Sequence, residues 1–132
     1  MVDDMDDDSS TEARGLQRSR CTVVDGVPYL DPEQLAAEYA TSAGSLLRTA
    51  GLAGSDVANY RSERVQERLR EIVEIIDMHS RGLQETSVSH AWYRLMPLPG
   101  MGGKRAVDLV AEGHAGFVRH EIDRAFAGDG YA

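Results

Sequence analysis

Four histidines, one cysteine and a run of carboxylates are the residues of this chain best suited to chemistry, and their spacing limits what they can do. His79, His90, His114 and His120 include no pair at i, i+4 and have no cysteine nearby, so the usual zinc-binding spacings are missing. We expect His79 at a helix end and the other three at the surface. Cys21 has no local partner, and no serine stands in a nucleophile elbow. Gly100 to Lys104 resembles part of a phosphate-binding loop, but Leu98 replaces the first glycine and Arg105 the final Ser or Thr. A tight turn between helices is the expected role. Glu71, Glu74 and Asp77 share one region of a predicted helix and read as a solvated face. The chain is therefore not expected to be an enzyme, nor to hold a metal or a cofactor.

The elements that carry these residues follow from charge and period. The formal charge is −8, from 22 acids and 14 bases. Asp3, Asp4, Asp6, Asp7, Asp8 and Glu12 all precede the first base, Arg14, so the acidity belongs to a tail. Without it the chain is nearly balanced. A lone monomer that binds DNA usually carries a basic excess, because phosphate neutralisation supplies most of the affinity. A basic protein partner, or DNA bound only as a multimer, fits better. One cysteine cannot form an internal disulfide, which suggests the cytoplasm. No apolar run approaches the ~20 residues that cross a bilayer, so no membrane association is expected.

Residues 1–30 read as a mostly disordered acidic tail. Within them, Cys21 to Leu30 is expected as a loop or an edge strand turning at Asp25-Gly26. The remainder predicts an all-α fold. Asp31, Pro32 and Gln34 form an N-cap, a first-position proline and a capping-box partner, with Leu35, Ala36 and Tyr39 inward. Thr41 or Ser42 caps a second helix carrying Leu46, Leu47 and Ala50, closed by Gly51. A short third helix covers about Gly54 to Tyr60, with Val57 inward. Ser62 caps the most strongly periodic element, in which Val65, Leu69, Ile72, Val73, Ile76 and His79 form one face. Its charged opposite face suits water or a dimer seam. A helix over about Ser87 to Met96 is expected to bury Val88, Ala91, Trp92 and Leu95 before Pro97 and Pro99 stop it. Two more helices follow, one with Ala106, Leu109 and Val110 inward and one with Val118, Ile122, Ala125 and Phe126 inward.

Two stretches carry a family resemblance. His90-Ala91-Trp92-Tyr93-Arg94-Leu95-Met96-Pro97-Leu98-Pro99-Gly100-Met101-Gly102-Gly103 leads to Ala106-Val107-Asp108-Leu109-Val110-Ala111-Glu112-Gly113 and a closing helix. This half of the chain resembles the C-terminal toxin-binding domain of the Xre/MbcA/ParS antitoxins. Trp92, Gly102, Gly103, Leu109 and Gly113 are its expected scaffold, with Gly102 and Gly103 turning closely past the Trp92 ring and Gly113 a left-handed helix stop. Upstream, Gly51 and Val57 stand six apart, as do the turn and the buried recognition-helix residue of a helix-turn-helix. Residues 31–61 resemble the Xre-like segment of that family, and residues 62–132 would be the long helix and toxin-binding domain.

The resemblance implies a type II antitoxin whose partner is a RES-domain toxin that consumes NAD, by degradation or by ADP-ribosyl transfer. Neutralisation would be steric. Phe126, Gly128, Gly130, Tyr131 and Ala132 are the expected toxin-binding residues, an aromatic flanked by glycines entering a cleft built for a ring. Operator DNA is a further expected partner, bound as a multimer or in the toxin complex. Arg48, Ser55, Asn59, Arg61 and Arg64 are the candidate DNA contacts, although Asp56 among them repels phosphate. Homo-oligomers or hetero-oligomers with the toxin are expected. The alternative is a DNA-binding transcription regulator with a helical dimerisation domain.

Overall fold

The computed structural model describes residues 20–81 and 84–127. The expected disorder of residues 1–19 and four of the expected toxin contacts, Gly128, Gly130, Tyr131 and Ala132, lie outside them.

The chain is mostly helical, but the all-α expectation needs correction. Strands β1 (Cys21–Val24) and β2 (Val27–Leu30) pair antiparallel, Cys21 opposite Leu30 and Val24 opposite Val27. The turn works because Asp25 (φ 52) and Gly26 (φ 80) both adopt the left-handed region that a two-residue hairpin requires. So short a ribbon is marginal alone. It is held by Gln66, whose amide oxygen accepts from the Leu30 N–H (3.0 Å) while its nitrogen donates to the carbonyls of Leu30 and Tyr60 (2.9 Å each).

Helix α1 (Pro32–Tyr39) starts at Asp31, whose carboxylate accepts from the Glu33 N–H. The expected capping box does not form. Gln34 turns toward the hairpin instead, donating to the Cys21 carbonyl (3.2 Å). Helix α2 (Ala43–Thr49) is capped by Ser42, and Gly51 (φ 79) ends it. The next element, Gly54–Asn59, is a 3-10 helix. Helix α3 (Glu63–Ser80) begins at Ser62, which accepts from the Val65 N–H. It ends where Arg81 turns left-handed (φ 40). Helices α4 (Thr86–Leu95), α5 (Ala106–Ala111) and α6 (Ala115–Ala127) complete the chain.

Helix α3 forms the axis. Val65, Leu69, Ile72, Ile75 and Ile76 are wholly buried on it, and it packs against β2, α4 and α6. Burial of each such side chain stabilises by about 1.5–3 kcal/mol. One hydrophobic cluster runs from Leu30 through α1, α2 and α3 to Val118 and Ile122. Its edge is stapled by Arg20, which is 6% exposed and bonds both Glu38 on α1 (2.8 Å) and Asp77 on α3 (3.0 Å). Glu38 also accepts from Thr86 on α4 (2.6 Å). The carboxylates read as a solvated face stay solvent-accessible and each pairs with a base there: Asp77 with Arg20, Glu71 with Arg68, and Glu74 with Arg119.

Candidate partner-binding face

Helix α4 carries the largest departure from the sequence expectation. The side turned to the core holds Ser89, His90 and Tyr93, each 0% exposed. Val88, Leu95 and Met96 point outward, at 51%, 62% and 54% exposure, and Ala91 and Trp92 are half-buried. Polar bonds set this rotation. The Tyr93 hydroxyl donates to the Thr49 carbonyl (3.0 Å), and Ser89 Oγ bonds both His79 Nδ1 and Gln84 Nε2 (2.9 Å each). His90 lies against Tyr39 (ring centroids 4.9 Å) and near Tyr93 (6.2 Å). It is not the surface residue expected, and burial followed by the nearby Arg94 charge pushes its pKa down to about 4.

The outward apolar stripe borders an aromatic cluster. The rings of His79 and Trp92 stack at 3.9 Å and 14°, and Phe126 on α6 meets His79 at 6.5 Å and 72°. Desolvation lowers the His79 pKa, which favours the neutral ring in this stack. The Arg81 guanidinium lies 4.8 Å over Phe126 and reaches Asp123 at 2.6 Å. Such a cation over a ring is worth about 0.5–1 kcal/mol at an exposed site. Arg81 and Asp123 stand 42 residues apart, and no sequence signal joins them.

Trp92 therefore edges the core rather than anchoring it, and Tyr93 takes the interior place. Leu109 is buried, as expected. Gly102 (φ 65) and Gly103 (φ 87) do not pass close to any ring, since a Cβ at either would meet open space. Their need is conformational: they close the loop in which Leu98 N–H donates to the Lys104 carbonyl (2.8 Å) and Pro97 bridges to Arg105. Gly113 (φ 90) ends α5 in the left-handed conformation expected of it. Of the expected toxin contacts, Phe126 meets the same His79 ring that Trp92, an expected scaffold residue, stacks on.

His79 and Ser89 have the distance of a base and a nucleophile, but Ser89 has no exposed surface on which to meet a substrate. Among the described residues no group of His, Cys, Asp and Glu could hold a metal ion, and no helix is long and apolar enough to cross a membrane.

The candidate DNA contacts gather at the other end of α3. Ser55, Asn59 and Arg61 are exposed, and Arg48 lies against Gly54. Arg64 is tied to Asp56 (2.8 Å). The segment in the recognition-helix position is the six-residue 3-10 helix Gly54–Asn59. Asp56 favours it, accepting from the Ala53 N–H (3.0 Å).

Comparison with protein-family models, curated proteins and solved structures finds no match to this chain.

Proposed function

We propose that the chain is the antitoxin of a type II toxin–antitoxin pair and that it binds a RES-domain, NAD-consuming toxin in the cytoplasm. The supporting observation is the exposed apolar set Val88 and Leu95 on α4 and Met96 at its C-cap, on the helix that also carries the half-buried Trp92. Apolar residues at i and i+7 on the solvent side of a helix are what a partner interface needs, and aromatic residues and Met are enriched in such interfaces. The mechanism is steric occlusion. This face holds the toxin, and the residues after Phe126, namely Gly128, Gly130, Tyr131 and Ala132, fill the cleft where NAD reacts. Autoregulation through operator DNA belongs to the toxin-bound or multimeric form.

A DNA-binding regulator without a toxin has less support, because a short 3-10 helix presents few side chains to a major groove and Arg64 is already paired.

The test is co-purification with a RES-domain protein, comparing the full chain, a chain lacking residues 130–132, and Leu95→Ser. Removing the last three residues is expected to weaken inhibition with helical content unchanged. Leu95→Ser is expected to weaken binding at least ~30-fold, the scale of a central interface residue. Full inhibition by both variants would overturn the assignment.

A further inference from the structure

A second surface, remote in sequence from α4, carries an unspent charge. Most described bases have a carboxylate partner; Arg48, Arg61, Arg70 and Arg94 do not. Arg48 bonds the Ser45 hydroxyl, and the Arg94 Nε is buried. Arg61 and Arg70 are exposed and have no hydrogen-bond or ion-pair partner among the described residues, and both line one cleft between β2 and the start of α3. The facing wall is apolar: Val27, Pro28 and Tyr29 from β2, with Val27 46% exposed. Tyr29 and Arg61 also line the adjoining cleft with Asn59 and Ser62.

Gln66 also lines the cleft, and its two bonds to Leu30 tie β2 to α3, so both walls are held in place before an occupant arrives. We propose that this cleft binds a phosphorylated aromatic ligand, a nucleotide by chemistry, with Arg61 and Arg70 on the phosphate and Tyr29 against the ring. Guanidinium matches phosphate with two parallel hydrogen bonds, and aromatic side chains take bases face-on. Glu63 also lines the cleft. Its carboxylate opposes a long run of phosphates and favours one terminal phosphate group over duplex DNA.

The experiment is an NMR titration of the full chain with adenosine monophosphate, inorganic phosphate and a 5′-phosphorylated thymidine strand. The proposal expects saturable shifts at Tyr29, Arg61 and Arg70 with adenosine monophosphate, weaker binding of inorganic phosphate, and at least a tenfold loss in Arg61→Gln/Arg70→Gln. Both positions are exposed, so that variant folds normally. A strand that binds more tightly than the mononucleotide identifies strand ends as the source of the ligand and supports the same site. Tyr29→Leu should erase the preference for the nucleotide over phosphate. No saturable shift at millimolar ligand, or equal affinity in the double variant, overturns the proposal, and equal binding of phosphate and nucleotide overturns the role of Tyr29.

Discussion

Replacing His90 by Phe tests whether a titratable ring has been forced into the core. His90 has no exposed surface, neither ring nitrogen has a hydrogen-bond partner, and Tyr39 stacks on it. Its pKa is pushed down to about 4 from 6.5. The sign follows. Between those values the unfolded chain holds a proton that the folded chain refuses, so stability is fully present above 6.5 and is lost as pH falls toward 4. The full displacement corresponds to about 3 kcal/mol at 1.36 kcal/mol per pH unit, and about 2 kcal/mol of it is lost by about pH 5. Phe preserves an aromatic ring and cannot titrate. Urea unfolding followed by far-ultraviolet circular dichroism, with Trp92 fluorescence as a second probe, should show the variant gaining about 2 kcal/mol on wild type between about pH 7.5 and pH 5. Other groups, including His79, contribute equally to both proteins and cancel in the difference. A pH-independent difference, or a His90 signal in wild-type NMR spectra titrating near 6.5, would show that His90 is not held neutral in the core.

Three further outcomes are expected. Arg20→Met removes the clasp on Glu38 and Asp77 and should cost about 2 kcal/mol, the pairs being partly solvated. Because the Arg20 hydrogen bond lowers the Glu38 pKa, it should also reduce the stability that wild type loses as pH falls below 4.5, measured by unfolding in an acid series. Gly113→Ala, placed at φ 90 with open space around the new methyl, should lower stability by about 1 kcal/mol and the Tm by about 5 °C in a thermal melt. Val88→Ser with Leu95→Ser should leave unfolding free energy within about 0.5 kcal/mol of wild type, whereas an inward stripe would lose several times that.

Local grammar carried much of the fold. Asp31, Ser42 and Ser62 cap helices where their side chains fall before apolar periods, and the α3 stripe is buried as its spacing predicts. Long-range polar bonds were not legible. Val88, Ala91, Trp92 and Leu95 make a good inward stripe by hydrophobicity, but Tyr93, Ser89 and His90 lie on the other side of the same helix. That side wins because Thr49, 44 residues away, and His79 supply partners that no local pattern encodes. The same limit hid Arg20, which precedes every periodic element and acts only through Glu38 and Asp77. The segment Gly54–Asn59 has the spacing of a recognition helix but the composition of a turn, and Gly54, Asp56 and Asn59 are weak helix formers. For the candidate site, Phe126 and Trp92 were both singled out, whereas their joining through His79 was not visible.

The proposed antitoxin role is tested by titrating the full chain into a fixed amount of a RES-domain, NAD-consuming protein while following NAD. Turnover should fall to zero at a fixed molar ratio, and Leu95→Ser should shift the titration to higher concentration without changing the fold. Undiminished NAD consumption in excess of the chain, with no complex detected, would contradict it.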